Sequence, residues 1–403
     1  MAQDHHDTTH LIHHPYQPPA GFDSPQPGVF KASTVYFPTV AAMRQREWKD
    51  KSAYTYGLHG TPTSYLLEER LCALEGAQQC VLVPSGLAAL ATVALSLLKA
   101  GDEVLIPDNA YGPNKALAEG ELQHFGITHQ YYDPMHPADL ASRITERTRL
   151  VWLEAPGSVS MEFPDLIEQV RICQAQGVTC ALDNTWGAGL AFKPFDLLGD
   201  GQLGVDISAH ALTKYPSGGG DVLMGSITTR NTALHLKIKL CHMRLGMGVG
   251  ANDVEAVLRA LPSIGLRYAA QDRTARALAQ WWQNQPQCAQ LLHPAFAGAP
   301  GHAHWQVLCG AQGASAGLFS VMLDARYTQD QVDAFCNDLQ LFRLGYSWGG
   351  PVSLVVPYAL ETMRSGWPAH LERGTLVRFS TGLESAQALV EDLAQSLSKN
   401  LPA

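Results

Sequence analysis

Lys214 and Asp183 are the residues best placed to do chemistry together. Lys214 stands in Ser208-Ala209-His210-Ala211-Leu212-Thr213-Lys214-Tyr215-Pro216-Ser217-Gly218-Gly219-Gly220-Asp221, between a strand-like run and a glycine-rich turn. Val205–Ala209 reads as a short strand, Pro216 stops regular structure, and the glycines let another backbone or a ligand come close. Burial disfavours a charged amine, so a lysine held there, with no acid beside it in sequence, has a lowered pKa and can act as a nucleophile or base. For a single lysine, a solvated surface charge is the commoner outcome. Asp183 adds the second half of the argument: Val178-Thr179-Cys180-Ala181-Leu182-Asp183 is an apolar run that ends in an acid. In doubly wound α/β sheets ligands bind just beyond the carboxyl ends of the strands.

A lysine and an acid at two strand ends form the pair that pyridoxal phosphate requires, the amine to hold the cofactor and the acid to keep its ring nitrogen protonated. The sequence also offers a phosphate cradle. Cys80–Pro84 reads as a strand, Ser85-Gly86-Leu87 as a turn, and Ala88–Leu98 as a helix; that order aims backbone amides and a helix N-terminus at an anion. Tyr111 follows the strand Asp102–Pro107 and could stack on a planar ring, or be a half-buried surface tyrosine. Arg378 lies inside the apolar strand Leu376–Ser380 and needs an anion. Glu384 or Glu372 could pair with it, and so could a ligand.

At these positions the sequence resembles the Cys/Met-metabolism family of pyridoxal-phosphate enzymes, most closely its cystathionine β-lyase branch. The motifs are Asp183-Asn184-Thr185-Trp186, Thr213-Lys214-Tyr215, Ser85-Gly86, Asn109-Ala110-Tyr111, Ser347-Trp348-Gly349-Gly350 and Gly374-Thr375-Leu376-Val377-Arg378, in the family's order from about Tyr54 to the C-terminus. The resemblance implies a fold-type-I α/β architecture and a homotetramer that binds pyridoxal 5'-phosphate and cleaves a thioether amino acid in methionine biosynthesis. It implies that Lys214 holds the cofactor and moves the proton, that Asp183, Thr185, Thr213, Ser85, Gly86 and Leu87 bind the cofactor, and that Tyr111 stacks on it. It also implies that Arg378, Ser347 and Trp348 bind substrate, with Tyr111, and that Tyr56 contacts the cofactor phosphate of a partner subunit. Two departures stand out. Leu58 occupies the place of an arginine that grips the phosphate, a role no alkyl chain can take. Pro351-Val352 replaces the residues expected before Ser353-Leu354, so the distal substrate pocket differs.

Composition fits this reading. A chain of 403 residues suits two domains of ordinary size, and 46% hydrophobic residues can bury a large core. Charged residues make up only 16%, below the usual share, as expected if neighbouring copies cover part of the surface. A net charge of -9 with no basic stripe argues against a nucleic-acid partner. The 8 cysteines are scattered, with no C-x-x-C pair, and read as thiols of a reducing compartment. No apolar run reaches the length of a membrane helix and the N-terminus lacks a signal-peptide core, so the expected location is cytoplasmic.

The elements group into three parts. Residues 1–62 read as an extended arm rich in Pro, Gly and His that must lie on a neighbouring subunit. Its His5, His6, His10, His13 and His14 do not have metal-ligand spacing, and no metal is expected. Residues 63–260 alternate strands and helices as a parallel α/β domain. Residues 261–403 form a smaller α+β domain, with helices at Leu266–Gln283, Gln329–Leu339 and Ser385–Leu397 and strands at Leu318–Leu323 and Leu376–Ser380.

Overall fold

The computed structural model describes residues 20, 21 and 24–403, so the five N-terminal histidines lie outside the described residues. A seven-stranded sheet forms the first layer system. In chain order its strands are β1 (Gln79–Val83), β2 (Glu103–Pro107), β3 (Thr128–Tyr132), β4 (Thr148–Glu154), β5 (Thr179–Asp183), β6 (Ile207–Ala211) and β7 (Gly225–Thr229). The spatial order is β1-β7-β6-β5-β4-β2-β3. Strands β6, β5, β4, β2 and β3 run parallel, whereas β7 is antiparallel to both of its neighbours. The parallel strands read as near-continuous apolar runs because helices cover both faces; Val104, Leu150, Ala181 and Ile207 on one face are wholly buried.

The helix Pro62–Glu75 starts as the sequence requires. Thr61 and Ser64 form a reciprocal capping box, Pro62 fills the first turn, and Gly76 ends the helix in the left-handed region. The helix Ala251–Ala260 passes through the short turn Leu261–Ser263 directly into the long helix Ile264–Trp282. Beyond it lies a five-stranded sheet of β8 (Cys288–Leu292), β9 (Leu318–Asp324), β10 (Arg343–Leu344), β11 (Leu354–Tyr358) and β12 (Gly374–Ser380), in the order β10-β11-β12-β9-β8. Its core includes Trp282, Phe319, Phe335 and Phe379, which are fully buried; Phe319 stacks on Phe379, and Trp282 meets Phe379 at a tilt and Phe335 edge-on. All eight cysteines are free thiols.

Candidate active site

The carboxyl edge of the parallel sheet, with β12 and the 347 loop of the second sheet, supplies the site. Glu154 and Asp183 end β4 and β5 and lie directly opposite each other in register. Asp183 accepts hydrogen bonds from the Thr185 amide (3.1 Å) and hydroxyl (2.6 Å). Burial raises its carboxyl above the usual range, partly offset by those bonds and by nearby His210 and Lys214. The Thr185 hydroxyl in turn accepts from the amide of Ala211 at 3.0 Å, which ties the end of β5 to the end of β6.

Lys214 sits three residues past β6. Its Nζ donates to Ser347 Oγ at 2.9 Å and lies 5.5 Å from the centre of the Trp348 ring. Burial, reinforced by the Arg378 guanidinium and opposed by Asp183, lowers its pKa to about 8. Gly349 has φ 78° and packs so close to this turn that a Cβ there would come within 3.0 Å of the Tyr215 amide nitrogen. Only glycine fits, so the 347 loop is pressed onto the Lys214 turn.

Arg378 is buried in β12, between Val356 of β11 and Ser320 of β9. Neither Glu384 nor Glu372 pairs with it. Both Glu384 carboxylate oxygens accept from Ser353 instead, at 2.7 and 2.8 Å. The guanidinium has no ion pair or side-chain hydrogen bond among the described residues and faces the Tyr358 ring at 5.3 Å. Burial lowers its pKa.

Tyr111 is half-exposed, and its amide donates to Glu154 Oε2 at 2.8 Å. Partial burial raises the phenol pKa, with Asp183 and Glu154 adding to the effect. Ser85 caps the helix Gly86–Leu97 by accepting from the Ala88 amide at 3.0 Å, and its carbonyl accepts from Ala89. The amides of Gly86 and Leu87 have no partner among the described residues, as the first amides of a helix do unless something caps them. A Cβ at Gly86 would come within 2.6 Å of the Ala211 side chain, so the turn lies directly against the end of β6. The Thr213 hydroxyl lies 3.3 Å from the Met224 amide and 3.4 Å from its carbonyl. Among the described residues Tyr56 makes no hydrogen bond or ring contact with this group; its hydroxyl lies 3.4 Å from Ser33 Oγ, and its ring is half-exposed. Among the described residues no group of three or more His, Cys, Asp or Glu is placed to hold a metal.

Sequence reasoning left out Glu154, which fixes the Tyr111 loop, and Tyr358, which faces Arg378. Glu154 had a signal: it too is an acid that ends an apolar strand. Tyr358 had none, because β11 has no alternating pattern.

The donor set fits pyridoxal phosphate. Lys214 is a partly buried amine without a carboxylate partner among the described residues, Asp183 is an acid at a strand end, and Gly86 and Leu87 offer two amides at a helix start that have no partner among those residues. The fold is that of fold-type-I pyridoxal enzymes. The chain is similar to the solved structure of cystathionine γ-synthase from Xanthomonas oryzae pv. oryzae in complex with aminoacrylate and cysteine, with a TM-score of 0.82, 26% identity and 93% of each chain covered. The description "Cys/Met metabolism PLP-dependent enzyme" matches residues 8–398, and the chain belongs to that family. It is 36% identical to the cystathionine beta-lyase of Bordetella avium, covering 97% of this chain and 96% of that one. It is 32% identical to the L-alanine/L-glutamate racemase of Wolbachia pipientis wMel, over 93% of each. It is therefore a pyridoxal-phosphate-dependent enzyme of amino-acid metabolism. No helix among the described residues is long and apolar enough to cross a membrane.

Proposed function

We propose that this enzyme is a carbon–sulfur β-lyase that cleaves L-cystathionine, with uptake of water, to homocysteine, pyruvate and ammonia. One observation carries the reading: Arg378 is a buried guanidinium without an anionic partner among the described residues, close enough to Lys214 to lower its pKa. An unpaired buried arginine costs several kcal/mol, and an amino-acid carboxylate supplies the missing charge. Arg378 binds it through the planar fork of its guanidinium, which orients the Cα–H bond toward Lys214. With a pKa of about 8, Lys214 is partly neutral near pH 7 and can accept the α-proton. Its ammonium form can then protonate the departing thiolate sulfur, and the Ser347 hydroxyl 2.9 Å away steers the amine between these tasks. Pyridoxal phosphate supplies the electron sink for the bond changes at Cα and Cβ. When it is bound, Asp183 would hold the proton of its ring nitrogen, Thr185 fixing Asp183, Tyr111 would cover the ring, and Ser85, Gly86, Leu87 and Thr213 would hold the phosphate. Trp348 lines the substrate side with Ser347.

We assign residues 1–62 to an arm on the neighbouring subunit, 63–260 to the cofactor domain and 261–403 to the smaller domain, in a cytoplasmic homotetramer. The exposed Phe30, Tyr36, Tyr54 and Tyr56 support a covered arm, and Tyr56 then reaches the phosphate of a partner. The test is a keto-acid assay over cystathionine, cystine and related thioether amino acids. Pyruvate from cystathionine is the expected product; 2-oxobutanoate would assign a γ-lyase, and no keto acid from any of them would leave a cofactor-binding regulator.

A further inference from the structure

A second buried arginine lies close to the Tyr111 loop and belongs to none of the roles above. Arg364 follows β11 in the segment between Tyr358 and β12. Its Nε pairs with Asp108 at 3.1 Å and its Nη1 with Glu162 at 2.6 Å. Its side chain is 5% exposed and that of Glu162 is 0% exposed. Asp108 is further held by the amide and hydroxyl of Ser365 and by Lys115 at 3.1 Å, and Lys115 also donates to the Met363 carbonyl at 2.7 Å. Glu162 accepts from Asn109 Nδ2 at 3.1 Å and pairs with His370 Nε2 at 2.5 Å. Residues 108 and 109, directly ahead of Tyr111, are thus clamped from across the molecule by residues 363–370. On its other side the clamping segment continues into Tyr358, whose ring faces Arg378.

The two anchors of the substrate lie at opposite ends of this connection. Tyr111 follows β2 of the large sheet and Arg378 lies in the small one, and the Arg364–Asp108 pair is the one ion pair among the described residues that joins the 108–111 loop to the segment after β11; Lys115 adds a hydrogen bond to the Met363 carbonyl. We propose that Arg364 is a positioning residue: by bridging Asp108 and Glu162 it sets the spacing between the Tyr111 ring and the carboxylate site at Arg378. A guanidinium can hold two carboxylates at fixed angles, whereas a lysine holds one as a point charge. Misplacing a substrate anchor by about 1 Å can cost roughly a hundredfold in rate.

The inference rests on the roles given above to Tyr111 and Arg378, and a double-mutant cycle separates the two. Steady-state kcat and KM for the best amino acid of the keto-acid panel are measured for the wild type, Arg364→Lys, Tyr111→Ala and the double variant, with a melting temperature and a cofactor absorbance spectrum for each. Arg364→Lys should lose about tenfold in kcat/KM with full cofactor loading, and should cost nothing more once Tyr111 is alanine. Its effect on melting temperature should be the same in both backgrounds. Equal kinetic losses in both backgrounds would overturn the coupling and leave the Tyr111 reading intact. A Tyr111→Ala enzyme with wild-type kcat/KM would overturn both. If Arg364→Lys does not fold, Asp108→Asn removes one ionic contact with little change of shape, and the same cycle and outcomes apply.

Discussion

Arg378 and Arg364 are both buried arginines of the C-terminal part, and they differ in what meets the guanidinium. Arg364 has two carboxylates, and although burial lowers its pKa, Glu162 and Asp108 raise it above the ordinary value. Arg378 has only aromatic rings, and burial lowers its pKa, opposed by the phenols of Tyr358, Tyr111 and Tyr346 but by no carboxylate. The carboxylates show the same contrast. Burial acts on Glu162, but His370, Arg364 and Ser160 lower it to about 2, whereas burial raises Asp183. One cluster is electrostatically complete without a ligand and can serve architecture; the other is left wanting an anion beside an amine, as a binding site must be.

The largest expected effect is at the centre of the incomplete cluster. Lys214→Ala should abolish keto-acid release and the visible absorbance of the bound cofactor, since among the described residues Lys214 is the amine beside Asp183 and Arg378. The pH dependence of the amine tests the same point. An amine attacks an aldehyde only when neutral, so cofactor capture by apo-enzyme should rise up to about pH 8 and level off above it, rather than near the 10.5 of an ordinary lysine. Because Arg378 helps to lower this value, Arg378→Met should move the plateau to higher pH. A plateau near 10.5 in the wild type, or one that Arg378→Met leaves in place, would show that Lys214 is solvated and break the comparison.

Arg378→Lys comes next. Replacing the fork by a point charge removes a charge-assisted hydrogen bond worth about 1.5–3 kcal/mol, or roughly ten- to a hundredfold in kcat/KM. Stability should behave in the opposite way to that of the Arg364 cluster. Arg378→Met removes an unpaired buried charge and should keep or raise the melting temperature, whereas Arg364→Met leaves Asp108 and Glu162 facing each other and should lower it. Equal losses of melting temperature would mean that Arg378 already has a partner.

Sequence alone carried the site as far as local patterns reach. The acid at the end of β5 and the lysine after β6 were legible because an apolar run that stops at a charge marks a strand end, although β6 begins at Ile207 rather than Val205. In the second sheet the predicted helix Leu266–Gln283 is observed as Ile264–Trp282, and the strand Leu376–Ser380 begins at Gly374. Strands β8 and β11 escaped notice: Gln290 interrupts one and Pro357 the other, and only their neighbours in the sheet make them strands. The Arg364 cluster was illegible for a related reason. Its members lie up to 262 residues apart, at Asp108 and His370, and no periodicity connects them.

The smallest expected effect concerns Leu58, where the family's phosphate arginine is missing. His59 is poorly suited to replace it: its Nδ1 is engaged by the Thr55 hydroxyl at 2.7 Å, and burial, with Lys239 and Arg46 nearby, lowers its pKa. A better candidate shares a cavity of about 580 Å³ with Leu58. The Lys239 amine lines it, is buried, and has no ion pair among the described residues. Leu58 itself packs toward Gly248, where a Cβ would come within 3.2 Å of its Cδ1. If Tyr56 reaches the phosphate of a partner subunit, Leu58→Arg adds a second contact and should tighten cofactor binding. The gain should be no more than about tenfold, since Lys239 repels the new charge. In a Lys239→Met background it should be larger, and in a forced monomer it should vanish. Titration of apo-enzyme with pyridoxal phosphate measures all three. A gain that persists in the monomer would place the arm within its own subunit, and no gain in the Lys239→Met background would remove Leu58 from the reach of the phosphate.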